Sequence, residues 1–409
     1  MLIQYSVENY KSIKEEISIN FRADSKAKDT GWIIDNENKK QLMYKAIGLI
    51  GPNASGKSNI IDSFMFALNF IIGTISRKEI SMINIESFQF DEEFSRKPSF
   101  FEFIFFWQGV KYVYGFSVNA SEVIEEYLLA YYTAKPKTIF DRTEGQKYDF
   151  KGNDVRTQRE LSGKTNNNRL YMPVAAEWGY QPLKVVYEWF QFITRQYGSY
   201  DVSAMIGEII AHPQRKQMLI QELQRADFNI VDIYAEKEKR DKRALDFVER
   251  IFKEVFGEMK EISFPEEELV VRLVHKNVHG NKFDISLNQD SAGTSEIVQN
   301  IAELLYISRQ GGFILEDELG RAYHTKLTQH FLEMIKSTTE NEGNVQILFS
   351  SHDTKILNMM NPDQIYLVDK DEEGATYVKL LSDYLIREHD NIELGYLKGR
   401  YGSIPYMKG

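Results

Sequence analysis

Gly51-Pro52-Asn53-Ala54-Ser55-Gly56-Lys57-Ser58 decides how this chain is read. The spacing fits G-x-x-x-x-G-K-[ST], a glycine-rich loop whose backbone N–H groups cradle phosphate. Glycine lets the backbone come close to the phosphate oxygens. Lys57 supplies positive charge for the β- and γ-phosphates, and the Ser58 hydroxyl is the expected ligand for Mg²⁺. The flanks agree. Ala46-Ile47-Gly48-Leu49-Ile50 is a short apolar strand, and Ile60, Ile61, Phe64, Ala67 and Leu68 fall on one face of a helix that starts at the loop. Phosphate would meet the partial positive charge of that helix N-terminus.

Composition sets outer limits. A chain of 409 residues is long for one core, so two or three lobes are expected. Hydrophobic residues at 43% and charged residues at 27% are ordinary for a soluble globular protein. The chain has no cysteine, which excludes disulfides, thiolate metal sites and cysteine nucleophiles. No apolar run is long enough to cross a bilayer, and the N-terminus shows no basic region followed by an apolar one, so no membrane role and a cytoplasmic location are expected. A net charge of −10 argues weakly against a protein that wraps nucleic acid, and leaves a local basic groove open.

Ile3, Tyr5 and Val7 alternate with polar residues, as do Ile17, Ile19 and Phe21, giving two half-buried strands before the loop. Between Ser99 and Thr143 further strands are expected at Phe101/Phe103/Phe105, Tyr112/Tyr114/Phe116, and around Leu128 and Ile139, with turns at Gly109 and Asn119-Ala120-Ser121. Such a run favours an antiparallel layer. From about Asp154 to Met259 helical patterns take over, as at Phe247, Ile251, Phe252, Val255 and Phe256, with Gly257 as a C-cap. Glu236 to Arg243 is a dense mixed-charge run, read as a solvated helix face or a partner-docking surface. Lys164 to Asn168 reads as a surface loop. Ile365 to Val368 and Thr376 to Leu380 flank an acidic turn with Gly374, a hairpin signal.

The last third supplies further candidates. Gly312-Phe313-Ile314-Leu315-Glu316-Asp317-Glu318 is an apolar strand ending in acids. Asp317 is assigned to the metal shell and Glu318 to polarising water as general base; Glu316 stands where an apolar residue is usual. Ile347-Leu348-Phe349-Ser350-Ser351-His352-Asp353 is a second such strand, whose histidine either supports the fold or sits beside the γ-phosphate. Asp290-Ser291-Ala292-Gly293-Thr294 precedes an amphipathic helix carrying Ile297, Ile301, Leu304 and Leu305. It is an N-cap or an anion site built from hydroxyls and backbone donors.

Phosphate loop, Ser-x-Gly-Thr signature, acidic strand end and histidine, in this order, resemble the ABC-type ATPase heads of the RecF/SMC/OLD class. The resemblance implies an α/β fold: a RecA-like mixed sheet with an antiparallel β layer and a helical insert. Its expected parts are an N-terminal half of the head over 1–150, an insert or lid over 151–262, and a C-terminal half over 263–409. It implies Mg²⁺-dependent ATP hydrolysis, with Ser291, Gly293 and Thr294 of one protomer closing on ATP held by another. It also implies a glutamine at Mg²⁺ and the attacking water; Gln89 is the best candidate, against the alternative of a surface strand residue. Lys57 and Ser291 are 234 residues apart, and sustained heptads are absent, so a compact lid or docking lobe is expected in place of the coiled coil of SMC-like heads.

Asp317 to Thr325 is similar to the D-E-x-x-x-x-L-H-P stretch of stand-alone bacterial ATPases of the RloA/AbiL and PARIS type, with Tyr323 for Leu and Thr325 for Pro. Asn9 to Ile13, the Ser58-Asn59 pair, and Tyr396 to Pro405 resemble that group as well, which adds Asn59 to the nucleotide residues. This implies a dimeric or larger ATP-driven clamp in anti-phage defence. It would answer a nucleic-acid or phage-protein trigger and control a separately encoded effector, such as a nuclease. The alternative is a RecF/SMC-like DNA repair or DNA-clamp ATPase. A transporter motor fits poorly with the long insert.

Overall fold

The computed structural model describes every residue except 25–29, 35–41, 152–153, 195–201, 227–228, 241, 244–246, 248–249, 252–265, 338–342, 388–389 and 405–409. Phe252, Val255, Phe256 and Gly257 of the expected helix, and Pro405, therefore lie outside the described residues; Phe247 and Ile251 are helical and exposed. The chain divides into two compact units. One comprises Met1–Gly198, Ile307–Arg321 and Leu332–Gly409; the other comprises Ser199–Tyr306 and Ala322–Phe331.

In the first unit, β1 (Leu2–Glu8), β2 (Ile17–Asn20), the short pair β3 (Ile33–Ile34) and β4 (Met43–Tyr44), and β5 (Ala46–Ile50) lead to helix α1 (Lys57–Gly73). Next come β6 (Ser99–Trp107), β7 (Val110–Val118), β8 (Val123–Tyr131), β9 (Lys137–Thr143) and β10 (Lys147–Phe150). Seven of these strands form an antiparallel sheet in the order β10-β9-β8-β7-β6-β1-β2. The alternation read from the sequence is the burial pattern: Tyr5, Val7, Phe101, Phe103 and Phe105 point into the core. The expected turn at Gly109 is a two-residue hairpin in which Gln108 and Gly109 both have positive φ, and Asn119 Oδ1 accepts the Ser121 and Glu122 amides at the next turn.

Helices α2 (Val155–Ser162), α3 (Tyr171–Glu177) and α4 (Gln181–Thr194) follow. They correct the expected boundary at 151, because they fold with the first unit. The reason is aromatic packing: Trp189 of α4 stacks on Phe105 with 3.8 Å between ring centres, and Phe190 meets Phe103 edge-on at 5.3 Å. The loop read as surface at Lys164 to Asn168 is anchored. Asn168 is buried and its amide donates to the carbonyls of Lys78, Glu79 and Ser81.

The second unit contains α5 (Val202–Ile210), α6 (Pro213–Arg225), β11 (Ile230–Lys239), β12 (Glu267–Lys276), β13 (Lys282–Ser286) and most of α7 (Ala292–Ile307). Strands β11-β12-β13 form an antiparallel sheet, so the insert is not purely helical. The mixed-charge run at Glu236 is in part a correction too: its first half, Glu236 to Lys239, ends the edge strand β11, while Lys242 and Arg243 are helical. Its acids pair across the sheet, with Glu236, Glu238 and Asp284 converging on Arg272. Ile297, Ile301, Leu304 and Leu305 of α7 are buried, as their helical spacing requires.

Back in the first unit, β14 (Phe313–Glu316) precedes α8 (Thr325–Lys336), whose last residues belong there. Strands β15 (Gln346–Ser351), β16 (Ile365–Lys370) and β17 (Thr376–Leu380) and helix α9 (Ile392–Leu397) complete the unit. The sheet order is β14-β15-β5-β16-β17, parallel except for β17. Phe64 of α1 ties the two large sheets together: it contacts Tyr5 and Phe103 edge-on and stacks on Phe313 at 5.1 Å.

Candidate functional site

Parallel strands β14, β15, β5 and β16 present their C-terminal ends along one edge, where ligands of open α/β sheets usually bind. The loop after β5 wraps a cavity of about 360 Å³, lined by residues 53–59 together with Glu318, His352 and Lys370. Gly56 has φ 107°, and a Cβ there would overlap the Thr376 hydroxyl; a Cβ at Gly51 would overlap the Val368 carbonyl. Both positions therefore admit only glycine. Ala54 also takes positive φ, at 63°.

Lys57 is buried, yet among the described residues its ammonium has no carboxylate in contact; it donates to the carbonyls of Gly51 at 2.9 Å and Pro52 at 2.8 Å. Burial holds it below the usual lysine range, and the nearby Asp317 and Glu318 charges oppose that shift. A cation folded onto its own loop is available to an anion entering the cavity. His352 lines the same cavity. Burial, then the Lys57 charge, hold its imidazole below the usual value, with Glu318 and Asp317 opposing.

Two acids come from the end of β14. Ser350 Oγ on neighbouring β15 donates to Asp317 Oδ1 at 2.5 Å and accepts the Glu318 amide at 2.8 Å. Leu319 N donates to the Ser350 carbonyl, and Ser351 Oγ donates to the Leu319 carbonyl. These bonds hold Glu318 in a left-handed conformation, φ 60°, that few non-glycine residues adopt. Its carboxylate accepts from Arg321 Nη1 at 2.7 Å. Ser350 carried no sequence signal beyond its place on the strand. Lys370, at the end of β16, was also missed; a cation closing a strand beside the loop strand was the available cue.

The other expected residues lie elsewhere. Gln89 is exposed in an irregular segment, its amide donating to the Ser87 carbonyl and hydroxyl, and it is not among the cavity residues. Ser291, Gly293 and Thr294 belong to the second unit. There Ser291 Oγ accepts the Thr294 amide at 3.1 Å, an N-cap for α7, and Asp290 accepts the Ser291 amide while His275 Nε2 meets its other oxygen at 2.9 Å.

Among the described residues no cluster of three or more His, Cys, Asp and Glu side chains could hold a metal alone. Ser58 lines the cavity and Asp317, whose Oδ1 accepts from Ser350, is not among its lining residues; a hydroxyl and a carboxylate are the kind of hard-oxygen donors that Mg²⁺ takes beside substrate phosphates and waters.

A glycine-restricted anion cradle at the edge of a parallel sheet defines a P-loop nucleotide-binding protein. Residues 47–358 match the family described as "AAA domain, putative AbiEii toxin, Type IV TA system", and the chain belongs to that family. ATP binding and the themes of abortive infection and antiviral defence come with it. No curated protein matches the chain. Among solved structures it is similar to the SMC head bound to the C-terminal winged-helix domain of ScpA, at 12% identity over 92% of this chain and 96% of that one. The TM-score is 0.37, too low for a structural argument. Among the described residues no helix is long and apolar enough to cross a membrane.

Proposed function

We propose that the chain is an ABC-type ATPase head with a RecA-like core, working as a nucleotide-driven dimeric clamp that controls a separately encoded effector in anti-phage defence. The observation that carries the reading is the single cavity joining the phosphate loop, Lys57, Glu318 and His352. The loop amides and Lys57 hold the β- and γ-phosphates, and Asn59 stands at the cavity wall. Ser58 and Asp317 would hold Mg²⁺, which supplies positive charge to the phosphate oxygens. Gln89 keeps its proposed contact to metal and water, for which its amide must leave Ser87. Glu318 orients water for in-line attack once Arg321 releases its carboxylate, and His352 donates a hydrogen bond to the γ-phosphate.

Ser291, Gly293 and Thr294 close the same cage from a second protomer. Hydrolysis removes the phosphate that bridges the two, which turns ATP into a change of association. The effector step, a nuclease being the favoured kind, and the trigger follow from family resemblance. Titration of MgATP into the wild-type and Lys57→Ala proteins tests the site. Lys57→Ala is expected to lose measurable ATP binding; equal affinity and turnover in the two proteins would remove the assignment.

A further inference from the structure

A chain of side chains behind the phosphate loop has a fixed direction. Asn59 Nδ2 donates to Ser12 Oγ at 2.6 Å, Ser12 Oγ lies 2.7 Å from Thr376 Oγ1, and Thr376 Oγ1 donates to the Ser55 carbonyl at 3.0 Å. The Nδ2 group of Asn59 can only donate, and the Ser55 carbonyl can only accept. The Thr376 proton is thus spent on Ser55, so Ser12 must donate to Thr376. The relay runs one way, from Asn59 through Ser12 and Thr376 to Ser55. The Thr376 amide also donates to the Ser12 carbonyl at 2.7 Å, and Thr376 is buried, so its hydroxyl cannot turn to water.

The end of this relay bears on the cavity. The Ser55 carbonyl and the Gly56 N–H share one planar trans peptide, in which C=O and N–H point in opposite directions. A carbonyl held outward on Thr376 turns the Gly56 N–H the other way, to the face of the loop that lines the cavity. The same hydroxyl occupies the space a Cβ at position 56 would need. The segment bearing Thr376 is itself pinned. Lys14 bridges Glu373 at 2.7 Å and Asp91 at 2.9 Å, and Ala375 packs in a buried cluster with Phe88 and Phe94.

We propose that Ser12 and Thr376 are positioning residues of the phosphate site: their relay aims the Gly56 amide at a phosphate oxygen of the bound nucleotide. The inference rests on the nucleotide reading above and adds two residues, from the two ends of the chain, that no phosphate-loop pattern contains. The ligand group addressed is phosphate, not the base or sugar, so inorganic pyrophosphate should report the effect as well as ATP.

The test is isothermal titration of MgATP and of Mg-pyrophosphate into the full chain and its Thr376→Val, Thr376→Ser and Ser12→Ala variants, with melting temperatures taken without ligand. Thr376→Val keeps the shape and removes the hydroxyl. It is expected to raise both dissociation constants about ten-fold, the weight of one hydrogen bond to a charged group. Thr376→Ser restores the hydroxyl and should stay within about two-fold of wild type. The two variants should melt within about 2 °C of each other, a shift too small for a general folding defect. Ser12→Ala cuts the relay at its other link without touching Thr376, and should weaken both ligands by a smaller factor. Wild-type affinity in Thr376→Val, or equal weakening in Thr376→Ser and Thr376→Val, overturns the inference and leaves the nucleotide site standing. A wild-type chain that binds neither ligand overturns the nucleotide reading together with it.

Discussion

At the scale of single residues, the site is defined by groups held in conformations they would not choose. Glu318, at φ 60°, is kept there by the Ser350 hydroxyl and by the bond from Leu319 to the Ser350 carbonyl. Its carboxylate is turned to Arg321, which is mostly exposed and free to move. Glu318→Gln keeps the length and the backbone bonds but cannot accept the proton of attacking water. The variant should bind MgATP near wild-type affinity and hydrolyse it about 10²–10⁴-fold more slowly in a steady-state phosphate-release assay. Turnover equal to wild type would move the base elsewhere. Asp317→Asn should instead weaken Mg²⁺-dependent binding; binding that survives it but fails in Glu316 variants would mean the acidic strand end is assigned one residue out of register.

At the scale of elements, two groups report how helices are fixed. Glu126 and Arg142 are both fully buried, 3.4 Å apart, on β8 and β9. Glu126 also accepts the Tyr171 and Met172 amides at the start of α3 and the Tyr114 hydroxyl, so the carboxylate anchors that helix to the sheet. Arg142 keeps its bonds to Gln146, Asn167 and Arg169, but Glu126→Ala removes its buried counter-charge and leaves the two amides without their acceptor, and should cost about 3–5 kcal/mol in urea unfolding. On α7, Glu303 has no hydrogen-bond or ion-pair partner among the described residues, and burial pushes its carboxyl up from the usual 4.5 to about 7. The folded chain then holds a proton that the unfolded chain releases between about pH 4.5 and 7. Stability is lost as pH rises through that window, and the cost is complete above it. Glu303→Gln should melt like wild type at pH 5 and be more stable at pH 8 by about 1–3 kcal/mol, a figure reduced because the side chain is not wholly enclosed. An equal shift at both pH values would mean that the charge is not the cause.

At the scale of the whole molecule, the proposed clamp needs the Ser291 segment of one chain and the phosphate loop of another. Lys57→Ala and Ser291→Arg should each be inactive alone. In a head-to-tail dimer their mixture forms one composite site with neither defect and one with both. Random mixing at equal amounts makes about half of the dimers mixed, so roughly a quarter of wild-type ATPase activity should return. No recovery, or full wild-type activity at dilutions where sedimentation shows only monomer, would defeat the clamp while leaving the nucleotide cavity untouched.

The sequence alone was enough where local pattern and local chemistry coincide. The loop from Gly51 to Ser58, the face of α1, the alternation of Phe101, Phe103 and Phe105 and the β16–β17 hairpin were all readable, because each depends on neighbours within a few residues. The first half of the mixed-charge run, Glu236 to Lys239, was misread because a solvated edge strand and a solvated helix face both lack apolar periodicity; its pairing with β12 is a tertiary fact. The placement of α2 to α4 was missed for the same kind of reason: their apolar faces do not name the sheet that covers them, and the stacking of Trp189 on Phe105 does. The phosphate loop shows the division most sharply. Its glycines and lysine are written in consecutive residues. The hydroxyls behind it belong to Ser12 and Thr376, 364 positions apart, and only folding joins them and brings Thr376 to the Ser55 carbonyl.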